Sequence, residues 1–213
     1  MKKFIILLSI LACFTSCKCT NEAPKEPVVD PEVEAVDSLA LGIVEQAQGL
    51  DRQAMFTRYG ENFKWFETGV QLKDFLDEEN DGTIDMVVNV FQVAEERESG
   101  NYDTYVFKFQ HIGEECIENS THGFWLDDFP LNEEELVITF NEAYEKVMEV
   151  NLPKPHTRQV VLRKELGPKP ANPQWIFGNI KSQIYVDAVT GEVSEETPAY
   201  KGLNLGTPLG EWP

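Results

Sequence analysis

Cysteine is scarce in the body of this 213-residue chain. Cys13, Cys17 and Cys19 lie close to the N-terminus, and only Cys116 lies further along. Disulfide-stabilised domains use an even number of spaced cysteines, so this arrangement excludes a disulfide framework. A single bridge between Cys19 and Cys116 is the one alternative that the spacing leaves open.

Positive charge is also scarce. The chain has 18 Lys and Arg residues against 37 Asp and Glu residues, a formal net charge of −19. Binding to a nucleic-acid backbone needs a basic face, so we expect no nucleic-acid partner. The hydrophobic content of 42% is sufficient for a packed core, which argues against general disorder.

The sequence lacks the common catalytic motifs. It contains no His-Glu-x-x-His, no phosphate-binding loop, no Gly-x-Gly-x-x-Gly and no Gly-x-Ser-x-Gly. Carboxylates are so numerous that no pair of them stands out as an acid and a base. We therefore predict a protein that is not an enzyme, with no catalytic residues, no cofactor and no bound metal.

The N-terminus has the features of a secretion signal. Residues 1–16 combine two lysines with an apolar run that is too short to span a bilayer. The string Phe-Thr-Ser-Cys that ends at Cys17 resembles the cleavage box of bacterial lipoproteins. That resemblance implies cleavage before Cys17, attachment of fatty acyl chains such as palmitate to it, and membrane anchoring. The alternative is an ordinary signal peptide with an incidental cysteine.

A tether is predicted to follow the anchor. Residues 17–35 are rich in proline and acids and have few large apolar side chains, which is typical of an extended, solvated segment. Lys18 follows the predicted lipidated cysteine. An Asp at this position resembles the signal that retains lipoproteins in the inner membrane, so its absence favours the outer membrane. Loss of Lys2 and Lys3 with the leader would make the net charge more negative by two.

Residues 36–112 predict a helix followed by about three strands. The helix is expected to start after a cap at Asp37 or Ser38 and to stop at Gly60. Its expected buried stripe comprises Ala40, Ile43, Val44, Ala47 and Leu50. A strand pair, or one strand with a bulge at Gly69, is expected over 62–76. Further strands are expected over 83–96 and 102–112, with a turn at 77–82.

Residues 113–132 are interpreted as a linker, and 133–197 as a second helix-and-sheet unit. Thr139 and Glu142 form a capping-box pattern, and Phe140, Ala143, Tyr144 and Val147 have the spacing of a buried stripe. Strands are expected over 160–166, 175–180 and 183–188. Residues 198–213 form a Gly- and Pro-rich tail. The fold class is therefore α+β, with two units in which a helix packs on an antiparallel sheet.

The second unit resembles a PepSY-type domain. The similarity covers about residues 136–196 and is carried by ITFNEAYEKVME and by IYVDAVTGEV. It implies a cystatin-like fold, which some relatives contain in tandem, and a role in binding or inhibiting peptidases. The family has no catalytic residues to transfer, and the insert GPKPANP departs from its pattern.

Two constellations resemble metal sites. Residues 77–85 match the first half of an EF-hand calcium loop, but Val88 stands where the final Glu ligand belongs. His111, Cys116 and His122, with Glu114 and Glu115, offer zinc ligands at spacings that fit no established pattern. An acidic hairpin turn and a polar loop are the simpler interpretations, and we favour them.

These features together predict a lipid-anchored, non-catalytic binding protein of the cell envelope, with a protein or peptide partner. The alternatives are an envelope enzyme with an unrecognised acid/base site and a structural or carbohydrate-binding surface component. Trp65, Phe66, Trp125 and Trp175 are expected in the core, since large apolar side chains are usually buried.

Overall fold

A computed structural model describes residues 42–97, 100–179 and 181–199, which belong to one compact unit. The leader, Cys17, the tether and most of the C-terminal tail lie outside these residues. Within the described ranges the fold is α+β, with two α-helices and a nine-stranded antiparallel sheet. The elements are α1 (Ile43–Tyr59), β1 (Phe63–Leu72), β2 (Ile84–Glu96), β3 (Tyr102–Ile112), β4 (Glu115–His122), β5 (Asp128–Phe129), α2 (Phe140–Glu149), β6 (Gln159–Glu165), β7 (Gln174–Asn179), β8 (Ser182–Asp187) and β9 (Val193–Ser194).

The strands follow the order β4-β3-β2-β1-β6-β7-β8-β9, with β5 paired to β6. Every pairing is antiparallel. The first long strand after each helix, β1 or β6, lies at the centre of the sheet. The strands that follow it in the chain extend outward in sequence order. The predicted α+β class, with helices and an antiparallel sheet, is confirmed. None of the helices in the described residues is long and apolar enough to cross a membrane.

Helix α1 ends at Gly60 as predicted, where a φ of +58° suits glycine. Its start and its buried face differ from prediction. Gly42 is the N-cap, not Asp37 or Ser38, which lie outside the described residues. Ile43 and Leu50 are 55% and 67% exposed. The buried residues are Val44, Ala47, Gln48, Asp51 and Met55.

Helix α2 begins with the predicted capping box. The Thr139 side chain accepts from the backbone of Glu142, whose carboxylate accepts from Thr139 N at 2.8 Å. Phe140 is fully buried, as are Ala143 and Val147, whereas Tyr144 is only half-buried. The backbone N–H of Phe140 donates to Glu45 Oε1 at 2.7 Å, which ties the start of α2 to the first turn of α1.

Strand β1 carries its main irregularity at a different place from the one predicted. Trp65 pairs with Phe91 and Glu67 pairs with Val90, so the extra residue is Phe66 and not Gly69. A second register shift separates Gln71 from Leu72. Gly69 instead sits inside the regular part of the strand, paired on both sides.

The segment predicted as a linker, 113–132, contains two strands. β4 pairs with β3 through a tight turn in which Gly113 has a φ of +58°, and β5 pairs with β6. Sequence pattern missed β4 because its side chains are mostly polar and solvent-exposed, so that no apolar alternation marks it. The sheet is therefore continuous across the supposed linker.

The core lies mainly between the helices and the sheet. Trp65, Phe66 and Trp175 are buried as predicted, but Trp125 is only half-buried. Trp125 lies on the face of the sheet opposite the helices, where its ring is 5.3 Å from Lys108 Nζ and its indole N–H donates to Asp128 Oδ2 at 3.2 Å. The residues around Trp125 therefore cover part of that second face.

Candidate functional site

A chain of polar side chains is buried beneath α1. Gln48 Nε2 donates to Thr68 Oγ1 at 3.2 Å, and the Thr68 hydroxyl donates to Asn89 Oδ1 at 2.6 Å. Asn89 Nδ2 donates to Asp51 Oδ2 at 2.7 Å. All four side chains are buried, so each hydrogen bond offsets the cost of removing polar groups from water. We call this set the polar chain.

The register of the elements brings these residues together. Thr68 and Asn89 are direct cross-strand partners on β1 and β2. Gln48 and Asp51 lie one turn apart on α1 and point to the same side. Sequence analysis missed all four residues. A usable signal was present, because Gln48 and Asp51 interrupt the helical spacing of Val44 and Met55 with polar side chains.

The polar chain ends at a histidine and a cysteine near the edge of the sheet. His111 Nε2 lies 2.9 Å from both carboxylate oxygens of Asp51 and 3.9 Å from Cys116 Sγ. The three side chains come from α1, β3 and β4, and their donor atoms all lie within 4.8 Å of one another. Cys116 faces solvent, whereas the side chain of Asp51 is 4% exposed. We call these three residues the edge cluster.

Burial governs the electrostatics of the edge cluster. Removal from water raises the pKa of Asp51, although hydrogen bonds from Asn89 and His111 oppose that shift. The negative charge of Glu118 raises the pKa of Asp51 a little further. The carboxylate of Asp51 therefore gains more from a neighbouring cation than an exposed carboxylate would.

The geometry of the edge cluster differs from a catalytic Cys–His–Asp triad. In a triad, one ring nitrogen takes the proton of the nucleophile while the other is held by the carboxylate. Here the same nitrogen, Nε2 of His111, faces both Asp51 and Cys116. Three converging donor atoms of different kinds are instead the arrangement that holds a metal ion.

The zinc constellation considered from sequence is assembled only in part. His111 and Cys116 are direct partners across β3 and β4, but His122 pairs with Tyr105 at the far end of β4. Six residues of strand separate the two positions by about 20 Å. Glu114 and Glu115 are exposed at the turn and outside the cluster. Asp51, the buried member of the edge cluster, is 60 residues from His111 in sequence and was not foreseen.

The acidic turn at 77–85 uses its oxygens for local structure. Asn80 Oδ1 accepts from Gly82 N at 2.7 Å, and Asp81 Oδ1 accepts from Thr83 N at 2.9 Å. Asp77 pairs with His156 at 2.9 Å, and Asp85 pairs with Arg158 at 2.9 Å. The carboxylates therefore point to separate partners, and the favoured interpretation of an acidic hairpin turn agrees with this geometry.

A groove of about 320 Å³ adjoins the edge cluster. Its walls are the N-terminal half of α1 and the ends of β2 and β3, and His111 forms part of its lining. The exposed side chains of Ile43 and Leu50 make its rim apolar. Ile43 and Leu50 were predicted to be buried in the core. They line the groove instead, so the apolar spacing of α1 includes residues that face this groove as well as residues that face the core.

A second titratable group lies on the opposite face of the sheet. Burial and the nearby charge of Asp128 raise the pKa of Glu67 to about 7. Asp128 Oδ1 lies 3.7 Å from Arg163 Nε, and both atoms are buried without a hydrogen-bond partner among the described residues. Burial also raises the pKa of Asp128. The two acids therefore interact electrostatically, and neither lines the groove beside the edge cluster.

The two ends of the sheet differ in length and exposure. β4 has eight residues, seven of which are exposed, and among the described strands it pairs with β3 alone. At the other end, β9 has only two residues. Short edge strands are a common protection against unwanted pairing, and β4 lacks that protection.

Comparisons with protein-family models, curated proteins and solved structures find no match to this chain. The resemblances to PepSY domains and to lipoproteins therefore stay predictions. Cys17, the predicted lipidation site, and Cys19, which the alternative single bridge would join to Cys116, both lie outside the described residues.

Proposed function

We propose that this chain is a lipid-anchored, non-catalytic protein of the cell envelope that binds an extended segment of a protein partner. The observation that carries the binding role is the exposed edge strand β4, eight residues long, at one end of the nine-stranded sheet. Extended peptides bind to such edges by adding a strand, with affinity supplied by backbone hydrogen bonds.

The surroundings of β4 define the chemistry of the partner. Glu114, in the turn before β4, and Glu115, on the strand itself, are exposed, and the whole chain carries a net charge of −19. The segment after β4 exposes Phe124 and Leu126 by 67% and 73%. A partner strand with basic residues and at least one large apolar side chain fits both features.

The anchoring part of the proposal is supported by the leader and the placed Cys17. Cells grown with an alkyne analogue of palmitate should incorporate the label into the full chain. Cys17→Ala should abolish labelling, whereas the matched control Cys13→Ala should retain it. Separation of the two membranes should then place the labelled protein in the outer membrane. Labelling that persists in Cys17→Ala contradicts the proposed anchor.

The binding part is tested with a lysine on the edge strand. Asn119 lies on β4 and is exposed on the side away from the edge cluster, and lysines on edge strands oppose the addition of another strand. The full chain should capture a partner from envelope extracts, and Asn119→Lys should reduce that capture about tenfold. Gln53→Lys, an equal change of charge on the exposed side of α1, should leave capture unchanged. Equal capture by all three proteins contradicts binding at β4.

Hydrogen exchange gives a second readout of the same proposal. Backbone amides of β4 should gain protection when the captured partner is bound, whereas amides of β9 should not. The PepSY resemblance suggests a peptidase as the partner, so the captured protein is to be identified by mass spectrometry and assayed for inhibition. Protection that appears elsewhere and not on β4 overturns this assignment of the surface.

The two halves of the fold support a further part of the proposal, that they are diverged copies of one cystatin-like unit. Each half has a helix followed by four strands in a meander, and the halves join through their first long strands, β1 and β6. An experimental structure in which α1 with β1–β4 superposes on α2 with β6–β9 would agree with this origin. Unlike paths of the chain in the two halves would exclude it.

An envelope enzyme is the second candidate, because burial of Glu67 and the nearby charge of Asp128 raise the pKa of Glu67 to about 7. A carboxyl group with such a pKa exchanges protons readily near neutral pH. If the protein converts a substrate, Glu67→Gln should abolish turnover while leaving partner capture at β4 intact. Turnover that survives Glu67→Gln excludes this acid as the catalytic group.

A further inference from the structure

Three side chains with different donor atoms meet where the polar chain reaches the edge of the sheet. The carboxylate of Asp51, the imidazole Nε2 of His111 and the thiol of Cys116 all lie within 4.8 Å of one another. We propose that these residues bind one divalent transition-metal ion of the zinc class. Among the described residues this is the one group of three side chains with such convergence.

The distances suit a zinc-sized ion. Zinc binds nitrogen and oxygen at about 2.0 Å and sulfur at about 2.3 Å in a tetrahedral arrangement, which separates the donor atoms by about 3.3–3.8 Å. Cys116 Sγ and His111 Nε2 are 3.9 Å apart, close to that separation. Asp51 and His111 are at the hydrogen-bonding distance of 2.9 Å, so the ion replaces the shared proton and the two groups move apart by about 0.4 Å.

Charge and donor type indicate the class of ion. A thiolate at Cys116 and a carboxylate at Asp51 together balance a charge of two on the metal, with His111 neutral. The metal thereby balances the negative charge of Asp51 at its buried position, while the protons of the Cys116 thiol and of the Asp51–His111 hydrogen bond are released to solvent. Calcium and magnesium prefer oxygen ligands alone, and iron–sulfur clusters are held mainly by cysteines, so nitrogen with one sulfur favours zinc and its neighbours.

The polar chain supplies the support that metal ligands need. Asn89 donates to Asp51 at 2.7 Å and is itself fixed by Thr68 at 2.6 Å, both being fully buried side chains. Such outer hydrogen bonds hold a ligating carboxylate in one orientation. Cys116 lies on the exposed strand β4 and gives the ion a path from solvent. Water takes the fourth position, because Glu118 is engaged by Arg58 Nη2 at 2.6 Å.

The test uses the full chain with Cys13→Ser, Cys17→Ser and Cys19→Ser, so that Cys116 is the only cysteine. Titration with Co²⁺ should produce the absorption band of a cobalt–thiolate bond, saturating at one ion per chain. Zn²⁺ should displace the cobalt, with a dissociation constant at or below about 1 μM in competition with a chromogenic chelator. No thiolate band, or weak binding without fixed stoichiometry, overturns the proposal.

Single substitutions then assign the ligands. Cys116→Ser should abolish the thiolate band and weaken zinc binding at least about 100-fold, and His111→Gln should weaken it similarly. Because Cys116 is exposed, its substitution leaves the core undisturbed. His156→Gln is the matched control, since His156 forms a 2.9 Å pair with Asp77 outside the cluster. Zinc binding that is unchanged by Cys116→Ser and His111→Gln excludes this site.

Discussion

The core beneath α2 is apolar, whereas the core beneath α1 contains the polar chain. Phe140, on α2, packs its ring against Trp175 at 5.6 Å and Phe177 at 6.4 Å. The face of α1 that packs on the sheet buries Gln48 and Asp51 among its apolar residues. Both regions have a helix on an antiparallel sheet, so the fold itself does not require the polar side chains under α1.

The apolar core under α2 stabilises the fold, whereas the polar chain under α1 leads to a candidate site. Apolar burial stabilises a fold without directional demands, whereas a buried polar chain must satisfy every donor and acceptor. Replacing a buried set of hydrogen-bonded or charged groups by well-packed apolar groups is often neutral or stabilising. The polar chain therefore needs a functional explanation, and the edge cluster at its end supplies one.

Truncation of the aromatic anchor under α2 should have the largest effect. Phe140→Ala removes a fully buried ring and leaves a cavity beside Trp175, so we expect a loss of about 4 kcal/mol in the free energy of unfolding. Urea denaturation followed by tryptophan fluorescence measures it. Phe56→Ala, at an exposed position on α1, should change stability by less than about 0.5 kcal/mol. Similar losses in both variants contradict the described core.

Breaking the polar chain should have the next largest effect. Asn89→Leu keeps the branched outline of the side chain but removes the hydrogen bonds of Asn89 to the buried Asp51 and Thr68, which should cost about 3 kcal/mol. Asn119→Leu makes the same chemical change on the exposed strand β4 and should cost less than about 0.5 kcal/mol. If Asn89→Leu is as stable as the natural chain, the hydrogen bonds of the polar chain do not form.

The face opposite the helices offers a pH-dependent comparison. Glu67 has a pKa of about 7 in the folded protein against 4.5 for a solvated side chain. Because the pKa of Glu67 is higher in the folded chain than in the unfolded chain, protonated Glu67 stabilises the fold. This stabilisation is fully present below pH 4.5 and is lost as the pH rises through 7. Glu67→Gln should therefore raise stability by about 2 kcal/mol at pH 8 and leave it nearly unchanged at pH 4.

Urea denaturation at the two pH values measures the effect of Glu67→Gln. Glu145→Gln, at an exposed position on α2, removes the same charge without burial and serves as the control. A gain for Glu67→Gln that is equal at both pH values, or equal to that of Glu145→Gln, shows that Glu67 is not held protonated by its surroundings.

The same contrast explains what could be predicted from the sequence. The start of α2 was predictable because the capping box of Thr139 and Glu142 is a local pattern. Strand β4 was not, because both of its faces are largely exposed and its pairing depends on β3. The site was predictable only in part. His111 and Cys116 are five residues apart, but Asp51 reaches them through tertiary packing that spacing does not encode.

The smallest effect is expected at a glycine that distinguishes the two helices. Gly49 lies in the middle of α1, where an added Cβ would meet nothing within 4 Å, and α2 has no glycine. Gly49→Ala should raise stability by about 1 kcal/mol, because alanine has less freedom to lose in forming a helix. Gly60→Ala, at the end of the same helix, should instead lower stability by about 1 kcal/mol, since its φ of +58° disfavours a side chain. Thermal unfolding of the two variants should therefore shift in opposite directions, and zinc binding should be retained in Gly49→Ala because Gly49 lies outside the edge cluster.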